Sequence, residues 1–355
     1  MLDYRKYLVL VFIYLVASFN SFPSENEISD KEEFDPAEEI MHHIADAYEW
    51  HFFDVTDEEG NVHPISMPLP VILYANGSFD IFMSGEFDHG KATVTRGENT
   101  YILYHNKIYM ANEDGGIDYD EEHHPMNTRP LDISITKNVF AMLLSAIIIL
   151  LIFISVARAY RKRPGAPKGL QSFMEPIILF IRDDVVIPTI GEKKYHKYIN
   201  YLLTVFFFIW INNVLGLLPG GANLTGNIAV TMTLAVFTLL ITNFSGKKTY
   251  WGHIFATPGL PIWLSPIMIP IEMVGILAKP FALMIRLFAN ITAGHIIVLS
   301  LISLIFIFKT IYIAPVSIVF VLFMDILELF VAVLQAYIFT LLSSLFIGLA
   351  VQEHH

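Results

Sequence analysis

Residues 279–290 read KPFALMIRLFAN, and they place a single arginine, Arg286, inside a long apolar run. The nearest acidic residues along the chain are Glu272 and Asp325. Arginine stays protonated at any accessible pH, and placing it in the middle of a bilayer costs about 2.5–3.5 kcal/mol on insertion scales. A chain retains such a charge beside water or beside an anion that comes to meet it. Arg286 therefore points to charge transport across a membrane.

The apolar segments on both sides of Arg286 predict an all-α polytopic membrane protein with about five transmembrane helices. Between the first two spans, residues 169–192 mix acidic and basic side chains with apolar ones, which favours an interfacial helix at the membrane surface. The predicted spans are 136–158, 198–218, 226–245, 263–308 and 313–350.

The last two predicted helices are far longer than the roughly 20 residues that a bilayer needs. At about 1.5 Å per residue the segment 263–308 would reach about 65 Å, across a hydrocarbon core of about 30 Å. We therefore expect it to tilt steeply or to break, and Pro266, Pro270 and Pro280 are positions where it can bend.

The first third of the chain has a different composition. The formal net charge is −12, and most carboxylates lie before residue 125, whereas the long apolar runs lie after residue 135. The sequence thus predicts a signal peptide at 1–18, an acidic domain with its linker at 24–135, and a membrane domain at 136–355. Cleavage of the signal and its retention as an anchor both stay open. The absence of cysteine excludes disulfide and thiol chemistry.

The charges flanking the first span give an orientation. Five basic residues follow it between Arg158 and Lys168. Because basic residues are retained on the cytoplasmic side, we expect residues 24–135 to be extracytoplasmic, and the odd number of spans places the C-terminus in the cytoplasm.

Local patterns predict a small α+β, β-rich domain before the first span. Asp35 and Pro36 favour the start of a helix over 35–53. Asn76-Gly77 between two apolar runs is a strong hairpin signal, and a second short turn follows Tyr104. We expect residues 60–112 to form a small antiparallel sheet and residues 113–130 to form a linker.

Polar residues recur at helical spacing in the last two spans. Glu272, Lys279 and Arg286 are spaced by sevens, so they share one helix face, and Asn290 lies four residues beyond Arg286, close to that face. His295, nine residues beyond Arg286, points in a different direction. In the final helix Glu328 and Gln335 are again seven residues apart, and Asp325 lies on the preceding turn.

Three blocks of this sequence resemble subunit a of the F-type (F0) ATP synthase, and they occur in the order of that family. The resemblance covers about residues 130–352, and the spacing of its arginine, asparagine, glycine and glutamine is specific. The blocks are the end of the second span from Trp210 to Pro219, the run from Ile285 to His295, and LQAYIF at 334–339.

The resemblance implies the stator ion channel of a rotary motor in a bacterial inner membrane. Two aqueous half-channels would pass protons to and from the c-ring, coupling proton-motive force to ATP synthesis. The implied partners are the c-ring subunits, the peripheral-stalk b subunits and membrane lipid. The resemblance implies no catalytic site, cofactor or metal in this chain, and no nucleic acid partner.

The resemblance also implies roles for individual residues. Arg286 would meet the deprotonated carboxylate of a ring subunit and block a direct proton leak, Asn290 would support that region, and Gln335 would hydrogen-bond close by. His295 and Glu328 occupy positions that carry an acid–histidine pair in the family, here with the histidine first, and would line one half-channel. Asp325 and Glu272 are further candidates for channel residues.

Several alternatives stay open at this point. His295 and Glu328 can be a buried structural pair, Asp325 a hydrogen-bonding group between helices, and Glu272 an interfacial residue. For the whole chain, a secondary transporter whose Arg286 binds an anionic substrate is a different class, although no internal repeat of the kind common in transporters is visible. An extracytoplasmic binding module on a membrane anchor is a third, although it needs no charges inside its spans.

Overall fold

The computed structural model describes residues 45–56, 62–112, 115–120, 124–162, 166–218, 221–255, 264–308 and 312–352. The chain forms two compact units, one of residues 1–142 with 218–222 and one of residues 143–217 with 223–355. The signal peptide expected at 1–18 lies outside the described residues. The domain limits expected at 24–135 and 136–355 stay predictions.

The first unit is rich in β-structure. Its described residues form three separate antiparallel sheets with the strand orders β1-β2, β4-β3-β8 and β5-β6-β7. The strands are β1 (Glu49–Thr56), β2 (Val62–Pro68), β3 (Pro70–Ala75), β4 (Ser78–Met83), β5 (Val94–Arg96), β6 (Asn99–Tyr104), β7 (Lys107–Met110) and β8 (Leu131–Asp132).

Both expected hairpins are confirmed. Asn76 and Gly77 join β3 to β4 with φ angles of 48° and 83°, and His105 and Asn106 join β6 to β7 with 45° and 56°. Two successive positive φ angles match the twist of the flanking strands, which is why Asn-Gly is favoured at such turns.

Two expectations for this unit were wrong. Residues 60–112 form parts of three sheets, not one sheet. The helix expected over 35–53 lies partly outside the described residues, and its last part is strand β1, where Trp50, Phe52 and Val55 are aromatic or β-branched. Such side chains suit a strand paired across to β2, and this pairing overrides the helical spacing.

The core of the first unit lies between the inner sides of its sheets. Val71 and Leu73 of β3, Phe82 of β4 and Tyr101 of β6 are at most 5% exposed. The Tyr101 hydroxyl donates a 2.7 Å hydrogen bond to Asp80. Burial and this bond raise the pKa of Tyr101 above its ordinary value.

The second unit and the end of the first are helical. Among the described residues, five helices are long and apolar enough to cross a membrane, which confirms the expected polytopic architecture. The helices are α1 (Lys137–Lys162), α2 (Leu170–Phe180), α3 (Ile187–Ile190), α4 (Ile199–Gly216), α5 (Ile228–Ser245), α6 (Lys248–Phe255), α7 (Ser265–Phe308) and α8 (Ala314–Val351).

Helix α7 is continuous through Pro270 and Pro280. Its 44 residues extend about 66 Å, and the 38 residues of α8 extend about 57 Å. Of the two outcomes expected for so long a helix, the break does not occur. The steep tilt stays a prediction.

The segment expected to lie at the membrane surface, 169–192, is helical from Leu170 to Ile190. A π-helical turn at Ile181–Val186 joins α2 to α3. Ile181, Val185 and Val186 are fully buried, whereas Asp183 and Asp184 are exposed. This division into an apolar and a charged side agrees with an amphipathic helix, and its position at the membrane surface stays a prediction.

Helix α8 forms the centre of the second unit. It packs against α4, α5 and α7, and its Ala336, Phe339 and Ile347 are at most 1% exposed. At its C-terminal end a Cβ on Gly348 would overlap the Thr189 carbonyl oxygen of α3. Only glycine permits this approach, so α3 and α8 are in direct backbone contact.

Candidate functional site

Arg286 lies on the exposed side of α7. Its neighbours Leu283, Met284 and Leu287 are at most 5% exposed and anchor the other side of the helix in the core. Among the described residues, no carboxylate forms an ion pair with Arg286. The guanidinium is therefore presented outward from this unit.

Small residues surround Arg286 on the same helix face. Ala278, Ala282, Ala289 and Ala293 are exposed, and at 100° per residue all four lie within about 80° of arc that also holds Arg286. Small side chains let another helix approach closely inside a membrane. This side of α7 can thus bring a partner helix to the guanidinium.

Two of the expected site residues are joined by a hydrogen bond across the last two helices. Asn290 Nδ2 of α7 donates to Gln335 Oε1 of α8 over 2.9 Å. Asn290 is one turn beyond Arg286, and Gln335 is buried at 2% exposure. The bond fixes α7 and α8 to each other beside the arginine.

Glu328 is held against the backbone of α7. Its side chain is 6% exposed, and a Cβ on Gly294 would overlap Glu328 Oε1. Gly294 therefore provides the space that the carboxylate occupies. No described group hydrogen-bonds to that oxygen, and a buried carboxylate without such a bond is costly unless it binds a proton or water.

His295 follows Gly294 directly, so the carboxylate of Glu328 lies against the helical turn that carries this histidine. His295 is half-buried. The structure brings Glu328 to residue 294, and a direct bond between the two side chains stays a prediction.

Asp325 on α8 and Glu272 on α7 are both half-buried. Asp325 is three residues before Glu328 on α8, so the two carboxylates share a side of that helix. Glu272 lies near Tyr250 of α6. Burial, and next the negative charge of Glu272, raise the pKa of Tyr250.

The sequence predicted no individual role for Asn213, which is buried and links three elements. Its Nδ2 donates to the Ala332 carbonyl oxygen of α8 over 3.3 Å, and its Oδ1 accepts a 2.6 Å bond from Thr225. Ala332 lies midway between Glu328 and Gln335, so Asn213 positions the part of α8 that carries both. The available signal was an asparagine pair, Asn212 and Asn213, in an apolar helix.

A series of hydroxyl groups was also missed. Tyr201 contacts Thr238 at 2.9 Å, and Thr238 contacts Ser343 at 3.3 Å. Beside them a small open cleft is lined by Thr242, Tyr250 and Lys279 among others. Isolated threonine and serine residues in apolar helices carry little signal, because they also bond to the carbonyl four residues earlier.

Comparison with known proteins gives two family matches. The family model described as ATP synthase A chain matches residues 139–348. A second model, described as Domain of unknown function (DUF8433), matches residues 39–133.

Several relatives are identical to this chain at about half of the aligned positions. A protein named ATP synthase subunit a from Chloroherpeton thalassium is 49% identical over 232 residues, covering 63% of this chain and 69% of the relative. ATP synthase subunit a 2 from Chlorobaculum tepidum is 50% identical over 241 residues, covering 65% and 68%. ATP synthase subunit a from Chlorobium phaeobacteroides BS1 is 52% identical over 226 residues, covering 61% and 66%. The alignments thus span about two thirds of each chain.

Proposed function

The chain belongs to the ATP synthase A chain family, and from this premise we propose that it is the stator subunit that passes protons to and from a rotating ring in an F-type ATP synthase. It is a multi-pass membrane protein of a bacterial ATP synthase complex. The partners are a c-ring of small hairpin subunits, which slides along α7, and the b subunits of the peripheral stalk. Two aqueous half-channels lead to the ring from opposite sides of the membrane.

The observation that carries this proposal is the position of Arg286. A permanent charge is exposed among alanines on a long, mainly apolar helix. Such a charge is costly inside a membrane unless an anion meets it. A ring subunit that presents a deprotonated carboxylate supplies that anion, and the alanines let its helix come close enough.

The arginine couples transport to rotation by electrostatics. A deprotonated carboxylate is attracted to Arg286 and is released when it takes up a proton from a half-channel. A proton cannot pass directly between the half-channels, because the guanidinium repels it. Moving one charge across 100 mV is worth about 2.3 kcal/mol, and this energy becomes available only as the ring turns.

The polar residues between α7 and α8 form one half-channel in this proposal. Glu328 and His295 take up and release protons there, with Asp325 one turn away on α8. Asn290 and Gln335 hold the two helices together beside Arg286. Glu272, near Tyr250, is a further candidate for a channel residue.

The secondary transporter considered above has no support in the family match. A transporter would be distinguished from a ring-bound stator by an anionic substrate that binds at Arg286 in the absence of a ring.

Cross-linking tests the proposed contact with the ring. The chain has no cysteine, so Ala289→Cys introduces a single thiol beside Arg286. We expect it to cross-link to the hairpin subunits, each given a cysteine near its carboxylate. Leu150→Cys on α1, also exposed, is the matched control and should give no such product. Equal yields from both positions, or none from Ala289→Cys in an assembled complex, would contradict the proposal.

A further inference from the structure

The sheet formed by β4, β3 and β8 has an unusual outer side. In an antiparallel sheet with one face on the core, the other face is normally polar. Here the alternate residues that point away from the core are apolar as well. The most exposed ones define what we call the apolar face: Tyr74, Phe79, Ile81, Met83, Leu131 and Ile133, at 39–65% exposure.

The register places these side chains next to one another. Tyr74 is opposite both Phe79 and Leu131, and Ile81 is opposite Ile72. The rings of Tyr74 and Phe79 lie 4.8 Å apart. The acidic side chains of the same strands, Asp80 and Asp132, point to the inner side, where each accepts a hydrogen bond from a buried tyrosine. The apolar face therefore carries no charge, although the surrounding domain is acidic.

This sheet is attached directly to the first membrane-spanning helix. Ile133 and Ile135 continue the β8 pairing, and Ile135 N donates to the Pro70 carbonyl oxygen over 3.0 Å. Lys137, the first residue of α1, donates from its backbone N to Ala47 over 2.8 Å, and Trp50 contacts Phe140 edge to face. The domain thus contacts the first turn of the helix through both backbone and side chains.

The sequence of α1 fixes the level at which it enters the membrane. Residues 139–157 are uncharged, and at about 1.5 Å each they extend about 28 Å, which fills a hydrocarbon core of about 30 Å. Ile135 lies about 8 Å before Val139 along the chain, counting one extended and three helical steps. The end of the sheet at Pro70 and Met83 is therefore at the level of the lipid headgroups.

We propose that the apolar face is a lipid-contact surface that inserts at the headgroup–acyl boundary of the leaflet in which α1 begins. The occupant is lipid because the face lacks charge, has its Pro70–Met83 end at headgroup level, and carries aromatic side chains of the kind that lie at membrane interfaces. Lipid contact removes apolar side chains from water and fixes the orientation of the sheet relative to the membrane surface.

The absence of cysteine from the chain allows a direct test. In the full chain, Ile81→Cys is labelled with an environment-sensitive fluorophore and reconstituted in vesicles of phosphatidylcholine and phosphatidylglycerol with brominated acyl chains. We expect several-fold stronger quenching than for the matched label at Thr95→Cys, an exposed residue of β5 in another sheet. Phe79→Cys, two residues farther from the Pro70–Met83 end, is a second reporter on the apolar face and should also be quenched, less strongly than Ile81→Cys.

Two results would overturn the proposal. Equal, weak quenching at positions 79, 81 and 95 would show that the apolar face is in water. Blue-shifted emission at 79 and 81 without quenching by brominated lipid would show that protein, such as a second copy of the chain, covers the face.

Discussion

At the scale of single residues, Gly294 determines where the Glu328 carboxylate can lie. A Cβ at residue 294 would overlap Glu328 Oε1 and would lie 2.7 Å from its Cδ. The obstructed atoms belong to the end of a flexible side chain, so the carboxylate would move while the helices stay in place.

We therefore predict that Gly294→Ala slows proton flux by about tenfold or more, since small displacements of a reacting group have effects of this size, while the complex still assembles. Gly275→Ala is the matched control, because a Cβ at this position of the same helix would have no atom within 4 Å. The two variants are compared by measuring passive proton flux through the complex in vesicles. Equal fluxes in the two would mean that the position of Glu328 is unimportant.

His295 and Glu328 are expected to act as a pair. His295→Ala should reduce proton flux more than it reduces assembly. The double variant that combines His295→Glu with Glu328→His should be more active than either single variant, because one acid and one histidine are again present. Losses that simply add in this double-mutant cycle would indicate two independent structural residues.

At the scale of secondary structure, α8 is positioned by the buried side chain of Asn213. Asn213→Ala removes its bond to Ala332 of α8 and leaves Thr225 without its acceptor. We expect a loss of about 1–3 kcal/mol of stability, which is typical when a buried polar group loses its partner.

Asn212→Ala is the control for this change. Asn212 is equally buried, but within the described part of the chain its side chain donates only to the Phe208 carbonyl oxygen of its own helix, so its loss should leave the contact with α8 intact. Thermal unfolding of the purified chain in detergent compares the two variants. An equal fall in the melting temperature would mean that Asn213 does not hold α8.

How far the sequence predicts these elements depends on the range of the interactions involved. The hairpin at Asn76-Gly77 could be predicted, because the turn conformation is dictated by two adjacent residues. The five apolar helices could be predicted, because their length is set by the bilayer. The strand at Glu49–Thr56 was not predicted, because its pairing with β2 outweighs the helix-start pattern at Asp35. The contact between Gly294 and Glu328 was not predicted either, since it depends on the packing of two helices.

At the scale of the whole molecule, the chain combines the family's membrane helices with a β-rich domain that lies before the matched residues. The basic residues between Arg158 and Lys168 predict that residues 24–135 are extracytoplasmic. Protease added to intact spheroplasts should therefore remove this region. Protection in spheroplasts combined with cleavage in inverted vesicles would reverse the orientation.

The central claim, that Arg286 couples proton movement to rotation, is tested most directly by ATP-driven proton pumping in inverted vesicles. We predict that Arg286→Ala abolishes coupled pumping while the complex assembles normally. Arg286→Lys should also fail, because a compact ammonium does not replace the planar guanidinium. Lys279→Ala, which removes another exposed cation from α7, should retain pumping. Near-normal pumping by an assembled Arg286→Ala complex would contradict the account.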